Sequence, residues 1–322
     1  MINGLVWNKR TTYPRQRMYS EEKKMKPALI IGSTCVDVVL KIDRLPKTGD
    51  DLQPKSQTFT VGGCAYNVSQ VFRLLKTPHT LITPVGGGVF GEYVRNYFEE
   101  NDIPITVHLP EEENGCCYCL VEADGERTFL AYHGVEYAFR ERWMDPYQAE
   151  NYGWVYICGM EIGEADGWDL IRYLKKYPQL KVCYAPGPCG VMVDEERVEE
   201  LYRLHPMLHL NEREAGELTG EADYARAARK LSERTGNHVI ITLGEKGAYC
   251  LEENGSEYLV PAEPVETVVD TIGAGDAHVG TVLAGLTEGW SLREAIAYAN
   301  KVSAAVVGVR GATLTKDNLP EI

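Results

Sequence analysis

The chain has 322 residues, is 44% hydrophobic and 25% charged, and carries 47 acidic against 33 basic side chains, a net charge of −14. This composition is typical of a folded globular protein and excludes disordered, collagen-like and coiled-coil chains. Because an acidic surface is repelled by phosphate backbones, we expect no nucleic-acid partner. No stretch approaches the roughly 18–20 apolar residues of a membrane span, so we expect no membrane partner either.

The N-terminal end is basic and polar. Residues 1–26 hold seven Lys and Arg side chains against two acids, and they lack the apolar core of a signal peptide. Nine cysteines, an odd number, in a long chain without a secretion signal favour free thiols and a cytoplasmic location. We predict that residues 1–24 form a tail without a catalytic role and that residues 25–322 form the catalytic domain.

Short apolar runs alternate with amphipathic stretches from Ala28 onward. The runs are typical of strands buried on both faces of a sheet, and the stretches of helices. The predicted strands are 28–31, 81–85, 154–157, 182–184 and 239–243, and the predicted helices 67–75, 92–101, 166–176, 194–204, 222–235 and 277–286. This succession predicts an α/β fold with a doubly wound, mostly parallel sheet flanked by helices.

Two β-rich regions interrupt this alternation. Residues 116–122 and 127–132 are joined by the turn sequence Ala-Asp-Gly-Glu, and residues 38–42 and 57–61 are also extended in pattern. We predict a small separate β-sheet, with lid strands from about 38–61 and 116–132, that covers a site on the main sheet. Cys116, Cys117 and Cys119 are interpreted as small apolar residues of a lid strand.

The strongest chemical motif is Asp-Thr-Ile-Gly-Ala-Gly-Asp at 270–276, followed by an apolar helix with small residues. Two glycines at a helix start allow backbone N–H groups to converge on an anion, which the helix dipole also favours. Asp276 places a carboxylate beside that anion hole. Such a pair is what phosphoryl transfer to an alcohol requires, because the amides hold the phosphate and the carboxylate takes the hydroxyl proton.

A second glycine motif favours a different class of enzyme. Residues 86–91 read G-x-G-x-x-G between a predicted strand and a predicted helix, with acidic residues 111–113 about 20 positions on, as in a dinucleotide-binding fingerprint. An NAD-dependent oxidoreductase is therefore the remote alternative. Against it, the motif is not in the first βα unit, and we expect residues 111–113 to lie in a polar turn rather than at a strand end.

Three motifs together resemble the PfkB/ribokinase-like carbohydrate kinase family. Residues 269–280 are similar to its C-terminal signature, Gly-Gly-Cys-Ala-Tyr-Asn at 62–67 to its G-G-x-x-x-N signature, and Asn-Glu-Arg-Glu at 211–214 to its N-x-x-E motif. They follow the family's order and spacing, and the resemblance covers about residues 27–320. It implies a ribokinase-like fold and an ATP- and Mg²⁺-dependent kinase that phosphorylates a hydroxyl of a small sugar or sugar-like molecule.

The resemblance also implies roles for single residues. It makes Asp276 the general base and forms the anion hole from Gly273, Ala274 and Gly275. The residues implied to bind substrate are Asp37, Gly62, Gly63, Asn67 and Glu161. Those implied to bind nucleotide are Asn211, Thr242, Gly244, Gly247 and Asn300, with Glu214 holding Mg²⁺ through water. A potassium-type monovalent-cation site would use Asp270, Ile272, Val306, Val309, Gly311 and Thr315.

Simpler structural roles remain open for four of these residues. Glu214 could be one of several solvated acids in residues 212–221. Asp37 could cap a turn, although its place after the first strand is where open α/β sheets bind ligands. Asn67 could be the N-cap of the helix that follows, and could serve both purposes. Asn300 could be an exposed helix residue.

The identity of the substrate stays open. Cys35 and Ala185 stand where ribokinase itself commonly has Asn, which disfavours ribose. A nucleoside kinase of the same fold is the nearest alternative, because Tyr66, Tyr118, Phe129 and Tyr132 could stack on a base or merely fill the lid. A non-catalytic sugar sensor is disfavoured, because the base and the anion hole are both present. The resemblance also implies a homodimer formed through the lid, which would cover exposed strand edges.

Overall fold

The computed structural model describes residues 25–309 and 311–322. The predicted N-terminal tail, residues 1–24, lies outside the described residues. The strands are β1 (Ala28–Ile31), β2 (Cys35–Lys41), β3 (Ser56–Gly62), β4 (His79–Ile82), β5 (Pro84–Gly87), β6 (Val107–Glu113), β7 (Cys116–Val121), β8 (Arg127–Tyr132), β9 (Trp154–Cys158), β10 (Lys181–Ala185), β11 (Met207–Asn211), β12 (Val239–Thr242), β13 (Ala248–Leu251) and β14 (Glu257–Val260). The helices are α1 (Cys64–Leu75), α2 (Gly88–Glu100), α3 (Gly159–Gly163), α4 (Gly167–Lys176), α5 (Glu195–Tyr202), α6 (Glu212–Thr219), α7 (Tyr224–Thr235), α8 (Ala274–Thr287) and α9 (Leu292–Val307).

The main sheet confirms the predicted architecture. Its strand order is β14-β13-β12-β11-β10-β9-β1-β4, parallel from β12 to β4 and antiparallel at β13 and β14. Strand residues alternate between two apolar cores: Val155 and Ile157 of β9 face one, and Tyr156 and Cys158 face the other. The sheet is therefore buried on both faces, which explains the continuous apolar runs in its sequence.

The predicted lid is a four-stranded sheet of order β3-β2-β7-β8. Strand β2 pairs antiparallel with β3 and parallel with β7, so two distant hairpin segments join along one seam. Cys116 and Cys119 are buried residues of β7, as interpreted from the sequence. In contrast, β8 leaves Phe129, Leu130 and Tyr132 more than half exposed, with Phe129 on the lid face that carries Asp37 and the other two on the opposite face.

The predicted strand 81–85 is divided between two sheets. Residues His79–Ile82 form β4 of the main sheet. Residues Pro84–Gly87 form β5, which pairs with β6 in a separate two-stranded sheet. The acidic residues 111–113 lie in β6, so the prediction that they occupy a turn was wrong. Proline at position 84 lacks the N–H needed to continue the ladder, which accounts for the change of sheet at this point.

The glycines at 86–91 are explained by backbone packing. A Cβ atom on Gly86 would lie 2.4 Å from the Glu112 carbonyl oxygen, one on Gly87 would lie 2.1 Å from that of Pro110, and the Gly86 N–H donates to Asn114 Oδ1 at 2.6 Å. Glu112 itself pairs with Arg140. The G-x-G-x-x-G motif therefore lets β5 and β6 approach each other closely. The N–H of its first glycine, Gly86, already has a hydrogen-bond partner.

The carboxyl ends of the parallel strands position the site. Ser33 follows β1, α3 follows β9, Asn211 ends β11 and Thr242 ends β12. In an open α/β sheet these ends share one edge, where ligands bind. The lid leaves the main sheet at the end of β1 and therefore lies at that same edge.

Among the described residues, every helix is too short or too polar to cross a lipid bilayer.

Candidate active site

The predicted anion hole lies at the first turn of α8. Gly273 is the N-cap, with a left-handed backbone (φ +75°), and a Cβ atom there would lie 2.4 Å from the Ala312 Cβ. Glycine is therefore required on two grounds, backbone conformation and space. The N–H groups of a first helical turn have no partner within the helix, so that of the exposed Gly275 is placed to hold an anion, and that of Ala274 makes only a long hydrogen bond of 3.4 Å to the Thr271 carbonyl.

Close packing of α8 on α1 fixes the position of this turn. A Cβ atom on Gly280 would lie 3.2–3.3 Å from atoms of Val68 and Val71, so the helices meet where α8 has no side chain. Ala277 and Ala284 are also buried, as their small size predicted. The start of α8 is further tied to α9, because the Ser303 hydroxyl donates to the Ala274 carbonyl at 3.0 Å.

Asp276 lies in this first turn and is held by α1. The Asn67 Nδ2 donates to Asp276 Oδ2 at 2.8 Å across 209 residues of sequence. Burial raises the pKa of Asp276 to about 6, against the lowering effect of hydrogen bonds from Asn67 and Cys64. The carboxylate is thus largely ionised at neutral pH yet far more basic than an ordinary aspartate, which suits a general base.

Asn67 does not cap its helix. The helix α1 begins at Cys64 with Gly63 as N-cap, so Asn67 lies one turn inside and is 6% exposed. The capping interpretation was wrong, because the glycine pair already provides the turn: Gly63 has φ +106°, and a Cβ atom there would lie 2.6 Å from the Ser33 carbonyl oxygen.

Asp37 faces Asp276 from the lid. It lies inside β2 rather than at the end of β1 or in a turn, and so the turn-capping interpretation was wrong. Burial, followed by the charge of Asp276, raises the pKa of Asp37 to about 6. A Cβ atom on Gly62 would lie 2.1 Å from Asp37 Oδ2, so glycine at this position leaves room for the carboxylate.

Glu161 completes this group of acceptor-side residues from α3. It is 2% exposed, and its Oε1 accepts the Ser33 N–H at 2.8 Å. Burial raises the pKa of Glu161. The structure therefore brings together the predicted acceptor-side residues from the lid, α1, α3 and α8: Asp37, Gly62, Gly63, Asn67, Glu161 and Asp276.

Asn211 and Glu214 form a capping box at the start of α6. Asn211 Oδ1 accepts the Glu214 N–H at 2.9 Å, and Glu214 Oε2 accepts the Asn211 N–H at 3.0 Å. Burial raises the pKa of Glu214, whose charge in turn raises the pKa of Asp276. The N-x-x-E motif is thus a helix start that holds a carboxylate near the base.

The remaining nucleotide-side residues lie around the end of β12. Thr242 is its last residue, Gly244 is exposed, and a Cβ atom on Gly247 would lie 2.0 Å from the Val260 carbonyl oxygen. A cleft of about 630 Å³ lies nearby, between residues 263–267 and the side of α9 that carries Lys301 and Ala304. Its volume falls within the range of small-molecule sites.

Asn300 is a buried member of a polar chain, so the alternative of an exposed helix residue was wrong. It is 7% exposed, and its Nδ2 donates to the Val260 and Pro261 carbonyls at 3.0 and 2.8 Å. Its Oδ1 therefore accepts the His278 Nε2–H at 3.0 Å, and His278 Nδ1 accepts the His209 Nε2–H at 2.7 Å. Burial lowers the pKa of both histidines, that of His278 to about 4.

Asp270 connects the anion-hole loop to the lid. Its carboxylate accepts N–H groups of Ile272 at 2.9 Å and Gly311 at 3.3 Å, and pairs with the Arg127 guanidinium of β8 at 2.9 Å. Arg127 also donates to the Thr271 hydroxyl at 3.1 Å. Sequence reasoning did not identify Arg127, because only the fold brings residues 127 and 270 together.

The other residues of the predicted cation site have their own partners. The Val306 carbonyl accepts the Val309 N–H at 3.1 Å, and the exposed Thr315 donates its hydroxyl to Asn318 at 3.2 Å. Of the aromatic residues considered for base stacking, Tyr66 is 1% exposed and hydrogen-bonded to Tyr97, so it belongs to the core.

Comparison with known proteins identifies the family. The model of the pfkB family carbohydrate kinases matches residues 25–319. The uncharacterized sugar kinase YegV of Escherichia coli is 31% identical over 288 residues, 88% of this chain and 89% of that protein. Mouse ribokinase is 27% identical over 304 residues, covering 90% and 92%.

The solved structures agree in fold. Ribokinase from Giardia lamblia superposes with a TM-score of 0.79 at 19% identity, covering 92% of this chain and 96% of that one. The remote oxidoreductase alternative is thereby overturned. With its ribokinase fold and an aspartate beside a helix-start anion hole, the chain belongs to the pfkB family of carbohydrate kinases and is a phosphotransferase with a hydroxyl group as acceptor.

Proposed function

We propose that this kinase transfers the γ-phosphate of ATP to a hydroxyl of a small carbohydrate. The observation that carries the proposal is the half-buried Asp276 carboxylate, held by Asn67 in the first turn of α8. In the reaction the acceptor oxygen bonds to the γ-phosphorus, the bond from that phosphorus to the ADP oxygen breaks, and the hydroxyl proton passes to Asp276. The amides of Gly273, Ala274 and Gly275 stabilise the charge on the transferring group.

The nucleotide would lie along the ends of β11 and β12. The Thr242–Gly247 loop and the cleft beside α9 would provide space for the nucleoside. Asn211 would order the turn that lies between this space and Asp276, the proposed general base. Asn300 would act through the Val260–Pro261 carbonyls that it holds rather than by direct contact. Glu214 would bind Mg²⁺ through water, which suits an ion that keeps several waters.

A potassium-type cation would be bound next to the anion hole. The candidate groups are Asp270, the backbone at Ile272, Val306, Val309 and Gly311, and the Thr315 side chain. Binding there requires the Asp270 carboxylate to give up its ion pair with Arg127 and contact the cation instead. The Thr315 hydroxyl must also leave its hydrogen bond to Asn318. The test is ATP consumption in buffers that contain K⁺ or only a bulky organic cation, and equal rates would contradict this site.

A nucleoside acceptor is the second candidate. Phe129 is 57% exposed on the lid face that carries Asp37, where its ring is free to stack on a base, whereas Tyr132 lies on the opposite face. An ATP-consumption screen over pentoses, hexoses and nucleosides separates the two candidates, since a sugar kinase and a nucleoside kinase differ in which acceptor has the higher kcat/KM.

We further propose a homodimer formed through the lid, in the cytoplasm. The exposed face and edge of β8 would be covered by a second lid, which removes an unpaired strand edge. The cysteines of the described residues are all free thiols, which fits a reducing compartment. Residues 25–322 would form the catalytic domain, and residues 1–24 would contribute no chemistry. Sedimentation of the full chain as a monomer would contradict the dimer.

The substitution Asp276→Asn tests the proposed base. Asparagine keeps the size of the side chain but cannot take the hydroxyl proton, so we expect kcat to fall by roughly 10² or more with little change in ATP binding. The melting temperature should not fall, because the backbone anion hole is unchanged. Preserved turnover would remove Asp276 as the base, whereas an unfolded variant would show that the carboxylate is needed to hold the helix start.

A further inference from the structure

Three buried polar atoms at the acceptor side have no hydrogen-bond partner. They are Glu161 Oε2, Asn67 Oδ1 and Ser33 Oγ. Their residues are 2%, 6% and 0% exposed. Buried polar atoms in folded proteins nearly always have a partner, so these three atoms are candidates for hydrogen bonds to a ligand.

Hydrogen bonds and close packing connect these atoms to Asp276, the proposed base. The second oxygen of Glu161 accepts the Ser33 N–H at 2.8 Å, and the Ser33 carbonyl lies against Gly63 at the start of α1. One turn along α1, Asn67 donates to Asp276. The unpaired atoms therefore belong to segments that adjoin Asp276, next to which the acceptor hydroxyl must lie in the proposed reaction.

The chemistry of these atoms limits what the ligand can present. Asn67 directs its N–H₂ group to Asp276, so its free atom is a carbonyl oxygen, which only accepts hydrogen bonds. Glu161 Oε2 is a carboxylate oxygen and also only accepts. Serine can donate or accept. The ligand must therefore donate hydrogen bonds to at least two of the three atoms, as hydroxyl groups do.

The charges at this side of the site have one sign. The carboxylates of Asp37, Glu161 and Asp276 face the site, and Glu136 is buried under the lid, where it accepts N–H groups of Gly115 and Gly134. The cations that contact this part of the lid are already balanced. Arg127 pairs with Asp270 at 2.9 Å, and the His133 ring pairs with Glu164 at 2.5 Å.

We propose that the acceptor pocket selects an uncharged polyhydroxy molecule and rejects sugars that already carry a phosphate or carboxylate group. This inference rests on the proposed kinase function and narrows its substrate class. A second anion in the pocket would meet three carboxylates and no free cation among the residues described around it, and repulsion between like charges in a desolvated site costs several kcal/mol. Hydroxyl groups, in contrast, pair with every unsatisfied atom.

Matched pairs of acceptors test the inference on the full-length protein. Ribose with ribose 5-phosphate, fructose with fructose 1-phosphate, and glucose with gluconate are compared for ATP consumption and, without ATP, for binding by calorimetry. We expect the neutral member of at least one pair to bind, and its kcat/KM to exceed that of the anionic member at least 100-fold. Tighter binding or faster turnover of the anionic members would overturn the inference.

The two measurements separate this inference from the proposed function. Binding of neutral sugars without turnover of any acceptor would contradict the kinase proposal and leave the pocket assignment supported. Binding of neither class would contradict the pocket assignment, since the unpaired atoms would then not serve a polyhydroxy ligand.

The variant Glu161→Gln tests the source of the selectivity. Glutamine can still accept the Ser33 N–H, but it presents an N–H₂ donor where the free carboxylate oxygen was. We expect the KM of the best neutral acceptor to rise about 10–100-fold with an unchanged KM for ATP, and the discrimination against its anionic partner to shrink. The surface variant Glu100→Gln is the control for loss of one negative charge. An unchanged acceptor KM in Glu161→Gln would overturn the role given to this carboxylate.

Discussion

The two carboxylates Asp37 and Asp276 face each other across the acceptor side, each with a pKa raised to about 6 mainly by burial. Catalysis by Asp276 requires its deprotonated form. We therefore expect kcat/KM to increase as the pH rises through 6 and to level off above about 7. Below pH 6 the slope should exceed one, because both carboxylates titrate there and each affects the other.

The variant Asp37→Asn separates the two titrations. One carboxylate remains in it, so the acidic limb of the pH profile should fall to a slope of one. The measurement is kcat/KM of both proteins between pH 5 and 8. An unchanged slope would show that Asp37 does not contribute to the acidic limb.

The same raised pKa has a consequence for stability. A carboxyl with a higher pKa in the folded state than in the unfolded state binds more protons when folded, so its contribution to stability falls as the pH rises from about 4 to 6. At pH 7 the ionised Asp276 then costs up to about 3 kcal/mol, from a shift of about two pKa units. We expect Asp276→Asn to raise the melting temperature by a few degrees at pH 7 and not at pH 4, as measured by calorimetry.

At the scale of the elements, the start of α8 depends on glycine at 273. Alanine there combines the cost of positive φ with a collision at Ala312, so we expect Gly273→Ala to lower kcat at least 10-fold by displacing the first turn. Gly255 is a matched control: its φ is +83° and nothing lies within 4 Å of its added Cβ. Gly255→Ala should lose similar stability and keep full activity. Equal losses of activity in the two variants would indicate that backbone strain anywhere in the protein lowers activity, and not displacement of the first turn of α8.

The His209–His278–Asn300 chain joins β11, α8 and α9 behind the site and ends at the Val260 and Pro261 carbonyls. We expect Asn300→Ala to raise the KM for ATP several-fold and to leave the acceptor KM unchanged, because it releases the segment between β14 and the cleft. The loss of stability should be about 1–3 kcal/mol, since His278 and two carbonyls lose a partner. Asn254→Ala, in the exposed β13–β14 turn, is the control.

Sequence patterns predicted most elements because burial on both faces of the sheet leaves continuous apolar runs, as in Ala28–Ile31 and Trp154–Cys158. They failed where a single residue redirects the chain, as at Pro84, or where an acidic segment such as 111–113 forms a strand. In the site, the glycine motifs located the start of α8, where Gly273 and Asp276 lie, and the roles of these residues stay predictions. The contacts of Arg127, His209 and His278 depend on residues 22–144 positions away, and no local pattern records them.

At the scale of the whole molecule, Arg127 ties the lid to the anion-hole loop. Its pair with Asp270 is largely screened from water, with side chains 20% and 13% exposed. We expect Arg127→Met to increase amide hydrogen exchange in β8 and to lower kcat/KM about 10-fold or more, because removing one partner leaves a buried charge and frees the lid. The double variant with Asp270→Asn should recover part of the lid protection. Unchanged exchange in Arg127→Met would show that the lid is held by its other contacts.

The pairing of Asn67 with Asp276 also determines when activity can arise during synthesis of the protein. The first strand lies between β4 and β9, so it lacks one neighbour until residue 158 has left the ribosome. The base and its partner are 209 residues apart, and α8 packs on a helix made far earlier. A nascent chain can therefore build the lid and half of the sheet while it has no catalytic aspartate at all. With Asp276 as the proposed base, we expect ATP consumption only after α8 has been made.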